Sequence, residues 1–301
     1  MNIIDDPALF IPPALEAIRK YGYAPEHNVD WFLCYGNADQ TSVFVSWPDD
    51  TGIMAKKEPQ VWHLFSEPLA PACERGKCVA DLAEHMLQDE RIEKIVIEAR
   101  TETREEILNA LPPHLKSRSI EYTLTWPIMD MDMFDPKLPG RHFKSMRKEY
   151  HTFYRDHAIE VVDAATLDKN VLHGMVNRWE AALREKKTPD IRPDQYHRLV
   201  DANFRGTKTA RAMVVDGAPV GFNAGWEVPN SQTFYTAVGI HDYSLPELGI
   251  ILYLEDLLWL KQRGYKMVDT GGVDAGGPLE FKNKFLPVSW YETHVFSIVR
   301  K

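Results

Sequence analysis

Gln232-Thr-Phe-Tyr-Thr-Ala-Val-Gly-Ile-His-Asp242 opens the stretch that decides the fold. A turn at Tyr243-Ser-Leu-Pro-Glu247 follows, then an apolar helical pattern from Leu248 to Arg263. Gly264-Tyr-Lys-Met-Val-Asp-Thr-Gly-Gly272 and Pro278-Leu-Glu-Phe-Lys-Asn-Lys-Phe-Leu-Pro287 complete it. The alternation of Phe234 to Ile240 reads as a strand and the Leu248–Arg263 period as a helix. The order is strand, loop, helix, strand, glycine-rich turn, short basic helix, with a final alternating strand over Ser289 to Val299.

The same order recurs upstream. A strand at Gln60 to Phe65 ends in Ser66-Glu-Pro68, and a helix follows over Lys77 to Leu87. The strand Lys94 to Glu98, a short helix capped by Thr101, and a strand from Ser119 to Trp126 close the unit. Two copies of one α/β unit are therefore expected, each with antiparallel strands feeding a parallel strand–helix–strand crossover. Around this frame, Pro12 to Tyr21 reads as a helix. Asp30 to Tyr35 and Thr41 to Trp47 read as a hairpin joined by Gly36-Asn-Ala-Asp-Gln40. Met129 to Gly140, rich in Met, Asp and Pro, marks a change of composition and sets the expected division at residues 1–128 and 129–301. Beyond it come a basic helix from Arg141 to His157, a strand Ile159 to Val162, and helices over Ala165 to Glu185 and Pro193 to Asn203. A hairpin, Arg211 to Val215 with Pro219 to Val228, turns on Asp216-Gly217.

Length and composition bound the function. A chain of 301 residues suits two modest domains, and its 44% hydrophobic and 11% aromatic content is that of a soluble globular protein. The net charge of -9 weighs against non-specific binding to nucleic acid or anionic membrane, while leaving room for a local basic patch. Cys34, Cys73 and Cys78 lack the spacing of a zinc site and are expected as reduced thiols; no metal is expected. The N-terminus has no basic segment followed by an apolar run, and Glu255 and Asp256 interrupt the most apolar helix. A cytoplasmic protein without a transmembrane segment is expected.

Four places carry candidate chemistry. Leu248 and Gly249 open the crossover helix, where unpaired amides suit a phosphate or an oxyanion, although the loop before them is not glycine-rich. Gly271-Gly272 after Asp269 allows a ligand close approach to the backbone, or is a plain turn. In Phe281-Lys-Asn-Lys-Phe285 the two phenylalanines share a face, and Lys282 or Lys284 either holds an anion or lies on a solvated face. The cluster Arg141, His142, Lys144, Arg147, Lys148 has the same two readings, anion contact or a surface paired with Glu149. No Ser/His/Asp order and no HExxH appears, which sets hydrolase and metalloprotease chemistry aside.

Taken together, Arg141-x-x-Lys-Ser-x-Arg-Lys148, the strands around Gly221 and Tyr235, the apolar helix, Gly264 to Gly272 and Phe281-Lys-Asn-Lys-Phe285 resemble the GNAT-like acyltransferases. The likeness is to the branch of Fem-type peptidoglycan aminoacyltransferases and lysyl-phosphatidylglycerol synthase catalytic domains. It covers most of residues 141–301, with the N-terminal half as a degenerate second unit. It implies an α/β fold of tandem GNAT-like units, each a mixed, mostly antiparallel sheet flanked by helices. It also implies transfer of an aminoacyl group from aminoacyl-tRNA, a co-substrate rather than a tightly bound cofactor, to an amine or hydroxyl of a small-molecule or peptide acceptor. By the family pattern Lys282 stabilises the oxyanion and Asp269 acts with it. Tyr235, Gly271, Gly272 and Lys284 shape the substrate end, and Arg141, Lys144, Arg147, Lys148, Leu248 and Gly249 hold the donor. The acyl-CoA pyrophosphate signature Gln/Arg-x-x-Gly-x-Gly/Ala is absent, so acyl-CoA is the alternative donor, and a non-catalytic ligand-binding module is the further alternative.

Overall fold

The computed structural model describes every residue except 38, 189 and 190. The chain begins with β1 (Asn2–Ile4) and α1 (Pro7–Tyr21). α1 starts earlier than the sequence pattern suggests because the Asp6 carboxylate accepts from Ala8 N (2.9 Å) and Pro7 takes a position whose amide needs no partner. The strand expected at Asp30 to Tyr35 is instead α2 (Val29–Cys34). Asn28 caps it through Trp31 N (3.0 Å), and Val29, Trp31, Phe32 and Cys34 are all buried. A helix cap and burial of all four side chains override the strand preference of an aromatic run. Part of the linker expected after it, Ala38, lies outside the described residues.

The hairpin forms one step later, between β2 (Thr41–Ser46) and β3 (Gly52–Lys57). There follow β4 (Val61–Leu64), α3 (Arg75–Met86), β5 (Lys94–Arg100), α4 (Thr101–Ala110), β6 (Leu115–Ser117) and β7 (Tyr122–Asp130). Thr101 is not the cap of α4. It is the first helical residue, Arg100 holds the cap position, and the threonine hydroxyl meets His294 Nε2 at 3.0 Å. The second half runs α5 (Lys144–Asp156), β8 (Ile159–Asp163), α6 (Lys169–Glu185), α7 (Asp194–Asp201), β9 (Thr209–Val215) and β10 (Ala218–Glu227). It ends with β11 (Thr233–His241), α8 (Leu248–Gln262), β12 (Met267–Asp269), α9 (Gly277–Asn283) and β13 (Ser289–Arg300). The β9–β10 turn uses Asp216 and Gly217 at φ 51° and 82°, the left-handed pair that a two-residue hairpin needs.

Among the described residues the strands form one sheet in the order β1-β2-β3-β4-β5-β13-β7-β12-β11-β10-β9-β8, with β6 beside β13. β4 runs parallel to β5 and β11 parallel to β12, as the repeated crossover requires; the other pairs are antiparallel. The two halves exchange their closing strands. β13 pairs with β5 in the first half, while β7 pairs with β12 in the second, and β7 and β13 adjoin at the centre. The expected division between residues 128 and 129 falls inside β7.

Helices cover both faces. α3 and α4 pack under β5 and β13 around Leu82, Ile97, Ile107 and Phe296. α1 and α2 cover the other face around Phe10, Phe32 and Phe44. α6 and α7 cover β9–β11 on that same side, and Trp31 of α2 joins them through Trp226 (ring centroids 5.7 Å). α8 packs on the opposite face through Leu254, Leu257 and Leu260 against Phe234 and Val268. Among the described residues no helix is long and apolar enough to cross a membrane. Cys34 and Cys78 are buried, Cys73 is exposed, and none is bridged.

Candidate active site

The site begins where two strands part. β11 pairs with β12 only over Thr233–Tyr235 and Met267–Asp269, and β12 then ends. At this point β11 bulges. Ala224 faces Val238 and Gly225 faces Thr236, which leaves Ala237 without an opposite residue. A bulge sharpens local twist and turns a strand away from its neighbour. The wedge so opened holds a cavity of about 730 Å³. Thr236 to Gly239 of β11 form one wall, and Gly249, Leu252, Tyr253 and Asp256 of α8 form the second. Thr270, Gly277, Phe281 and Lys282 form the third.

Lys282 reaches this cavity from α9. Phe285 is buried and Phe281 packs beside it against Tyr253, which turns Lys282 towards the loop after β12. Its Nζ donates to the carbonyls of Thr270 and Gly271, the latter at 2.7 Å. An ammonium has three donors, so one remains for a ligand. Burial pushes the ammonium down to about 8, opposed by the nearby Asp269. Polar loop carbonyls, and no carboxylate within ion-pair distance among the described residues, hold it in place.

Asp269 is 2% exposed. It accepts from Gly271 N (2.9 Å) and from the Tyr291 hydroxyl (2.7 Å). Burial raises its carboxyl to about 6, although both hydrogen bonds and Lys282 pull the other way. It does not line the cavity. It fixes the loop whose carbonyls hold Lys282, and it places a negative charge behind that ammonium. Tyr291 is in turn stacked on Trp126 (5.4 Å, 12° between planes), with the Arg100 guanidinium 4.3 Å from its ring centroid. Trp126 Nε1 donates to Thr293 Oγ1 (2.8 Å), whose hydroxyl donates to Glu98 (2.5 Å). Burial raises the Glu98 carboxyl. Glu26, whose carboxyl burial and Glu98 also raise, shares a small hollow of about 20 Å³ with this group on the other face of the sheet.

The two glycines have separate tasks. Gly271 sits at φ 86°, a left-handed conformation that lets two successive carbonyls turn towards Lys282. Gly272 lies against the Trp126 indole; a Cβ there would stand 2.5 Å from the ring. Gly272→Ala is therefore expected to displace Trp126 from its stack and cost about 2 kcal/mol of stability, read from the denaturant midpoint. A midpoint unchanged from wild type would show that the indole yields freely.

The other sequence candidates fall into three groups. Tyr235 is opposite Asp269 in register, and its ring and hydroxyl lie 3.6 and 3.7 Å from where a Gly271 Cβ would stand. Leu248 buries its side chain in the core, so only its amide can meet a ligand. Gly249 lines the cavity, under His241, which burial keeps uncharged by pushing it down to about 4. Arg141, Lys144 and Lys148 are exposed and form no ion pair among the described residues. Arg147 instead donates to the carbonyls of Leu138 and Gly140, closing the turn before α5. Lys284 is exposed at the end of α9, and its carbonyl meets His142 Nε2 at 3.0 Å. That contact sets the basic start of α5 beside the helix that carries Lys282. Lys148 flanks a groove with Leu245, Pro246 and Glu247, the loop that leads to α8.

Asp256, Tyr253, Tyr291 and Trp126 were not singled out as site residues by sequence. Asp256 left one trace, an acid amid the apolar run of α8, where a buried charge is the informative exception. Glu247 occupies the place before Gly249 where the acyl-CoA signature has a glycine, and it adopts that left-handed conformation at φ 61°.

Neither a protein-family model nor a curated protein sequence matches the chain. Solved structures do. A C-terminal domain (DUF2156) of an Agrobacterium fabrum protein assigned as a lysylphosphatidylglycerol synthetase superposes with TM-score 0.69 at 14% identity, over 97% of this chain and 92% of that one. FemX gives 0.64 at 10% identity, over 99% and 97%. A tandem GNAT protein from the clavulanic acid biosynthesis pathway gives 0.58 at 13%, over 99% and 98%. At these identities the likeness establishes the fold, and the chain is built of tandem GNAT-like units in the arrangement shared by these proteins.

Proposed function

We propose that this chain is an aminoacyltransferase that moves an aminoacyl group from aminoacyl-tRNA to an amine or hydroxyl of a soluble acceptor. The observation that carries this reading is the Lys282 ammonium, held by two loop carbonyls at a cavity wall with one donor to spare. An aminoacyl ester is already activated, so transfer needs positioning and charge stabilisation more than a strong nucleophile. The acceptor attacks the ester carbonyl, and the spare Lys282 N–H donates to the oxygen as it becomes an oxyanion. The intermediate collapses with cleavage of its bond to the tRNA ribose oxygen, and the proton that the acceptor loses passes to that oxygen, which leaves as the ribose hydroxyl. The exposed cations Arg141, Lys144 and Lys148 beside α9 suit phosphates of an acceptor stem in a protein whose net charge is otherwise negative. The shared fold of a lysylphosphatidylglycerol synthetase domain and FemX supports the same class of chemistry.

The second reading, an acyl-CoA-dependent N-acyltransferase, has one observation in its favour. The wedge between β11 and β12 opens next to the start of α8, where the first amides of a helix are free to meet an anion. Against it stands Glu247, which sets a carboxylate at that same helix start. A pyrophosphate there meets like charge as well as the amides.

Purified protein mixed in parallel with charged tRNA and with labelled acetyl-CoA, each with a panel of amines, separates the two. Label is expected to pass from the charged tRNA, at a rate that falls as salt rises from 50 to about 200 mM. Product from acetyl-CoA alone would reverse the assignment of donor. No product from either would favour a ligand-binding module.

A further inference from the structure

A second hollow, of about 670 Å³, lies at the far end of α8 from the candidate active site. It sits among the end of that helix, the start of β12 and the turn that joins β10 to β11. Gly249 lines the first cavity and Trp259 the second, a separation of about 15 Å along the helix axis. Three aromatic rings shape it. Trp259 and Tyr265 both line it, with ring centroids 6.4 Å apart and planes 26° from parallel. Both meet the buried Phe234 ring at a steep angle, 63° and 61°. Two near-parallel walls thus stand on an apolar floor. Stacked bases rise about 3.4 Å per layer, so one base held between two rings needs them about 7 Å apart. The walls need open only slightly to reach that spacing.

The rim is charged. The Arg263 guanidinium lies 5.1 Å from the Trp259 centroid and makes no ion pair among the described residues. Lys208 and Lys266 are already paired, with Glu227 (3.5 Å) and Asp132 (3.0 Å). Glu227 is exposed, and its Oε1 meets both Lys208 and the Tyr265 hydroxyl, which donates to it at 2.7 Å. Its Oε2 is left for a donor at the edge of the Tyr265 ring.

We propose that this hollow is a nucleotide site, separate from the acyl-transfer cavity. The base of a nucleoside phosphate lies between Trp259 and Tyr265, its exocyclic amine donates to Glu227, and Arg263 meets the phosphate. Stacking by itself tolerates any base. The carboxylate adds selection, because cytosine offers an amine where uracil presents a carbonyl oxygen, which a carboxylate repels. The guanidinium fork suits a phosphate. A free mononucleotide and a strand of RNA share this chemistry. The inference does not depend on the acyltransferase reading, and its test is equilibrium binding.

Calorimetry with cytidine 5′-phosphate, uridine 5′-phosphate and ribose 5-phosphate, each at millimolar concentration, provides that test. The cytidine nucleotide is expected to bind about tenfold or more tighter than ribose 5-phosphate, the effect of one stacked base. It should also bind about fivefold or more tighter than the uridine nucleotide. Lys282→Ala should bind all three as the wild type does, since that lysine lines the other cavity. Trp259 packs in the core beside Phe234, so the decisive variants are at two exposed residues. Glu227→Gln is expected to erase the preference for cytidine over uridine. Arg263→Gln is expected to weaken the cytidine nucleotide and ribose 5-phosphate alike and to flatten the salt dependence. A further arm with the trinucleotide ApCpA tells the two sources apart. A gain of about tenfold over the mononucleotide assigns an RNA strand, and equal affinity assigns a free nucleotide. Equal binding of the cytidine nucleotide and ribose 5-phosphate would overturn the proposal, as would equal binding of the cytidine and uridine nucleotides. So would an absence of binding by all three, or a binding pattern that both rim variants leave untouched.

Discussion

Lys282→Ala is expected to lower kcat for aminoacyl transfer by about 10²–10³, with KM changed far less. That is the range seen when a single donor to a developing oxyanion is removed, because the donor is worth most when the negative charge appears. Stability should move little. Burial already disfavours the ammonium, and of the two carbonyls it leaves behind, that of Thr270 belongs to a residue lining the cavity, where water can take the place of the lost donor. The check is steady-state kinetics beside a denaturant melt on the same preparation. A variant that loses stability in step with turnover would mark Lys282 as a structural strut. The wild-type pH profile carries the same information. The ammonium is lost near pH 8, so kcat/KM is expected to fall as pH rises through that value.

Asp269→Asn is expected to cost about a hundredfold in kcat while leaving substrate affinity largely in place. The asparagine can still accept from Gly271 N, but it no longer places a negative charge behind Lys282. Its amide also meets the Tyr291 hydroxyl, which now donates to the carboxylate. Tyr291 must reverse its role and accept, or the loop must shift, and misplacement on the scale of an ångström is enough for a loss of this size. Asp269 acts through Lys282, so the decisive readout is the profile and not the rate alone. The alkaline limb should move to lower pH, because Asp269 is what raises Lys282 against the effect of burial. The wild-type acid limb, near pH 6 where Asp269 gains a proton, should disappear. A rate loss with both limbs in place would leave Asp269 as a packing residue only.

Much of this arrangement was legible because the sequence states it locally. The apolar run of α8, the Asp216-Gly217 turn and the recurring strand–helix–strand order need only near neighbours, and the structure follows them. Lys282 and the two glycines could be singled out because paired glycines stand at a strand end and Lys282 lies between two phenylalanines at helical spacing. α2 was misread because Trp31, Phe32 and Leu33 favour strands by composition, whereas an asparagine cap and burial between two helical layers decided otherwise. The cavity itself was not legible. It depends on a bulge at Ala237 and on how far β12 continues beside β11, and neither has a sequence signature. Tyr291 was out of reach for another reason. Its strand belongs by order to the second unit but lies between two strands of the first, and only the assembled sheet brings it to Asp269.

That exchange of closing strands also bears on how the chain reaches its native state. While a nascent chain emerges from the ribosome, β5 and β7 are complete long before β13, the strand that must slide between them, has been made. Until then each presents a bare hydrogen-bonding edge of the kind that recruits other chains. Contacts so distant in sequence also slow the final step. Refolding yield should therefore drop steeply as protein concentration rises, and a holdase present during dilution from denaturant should restore it.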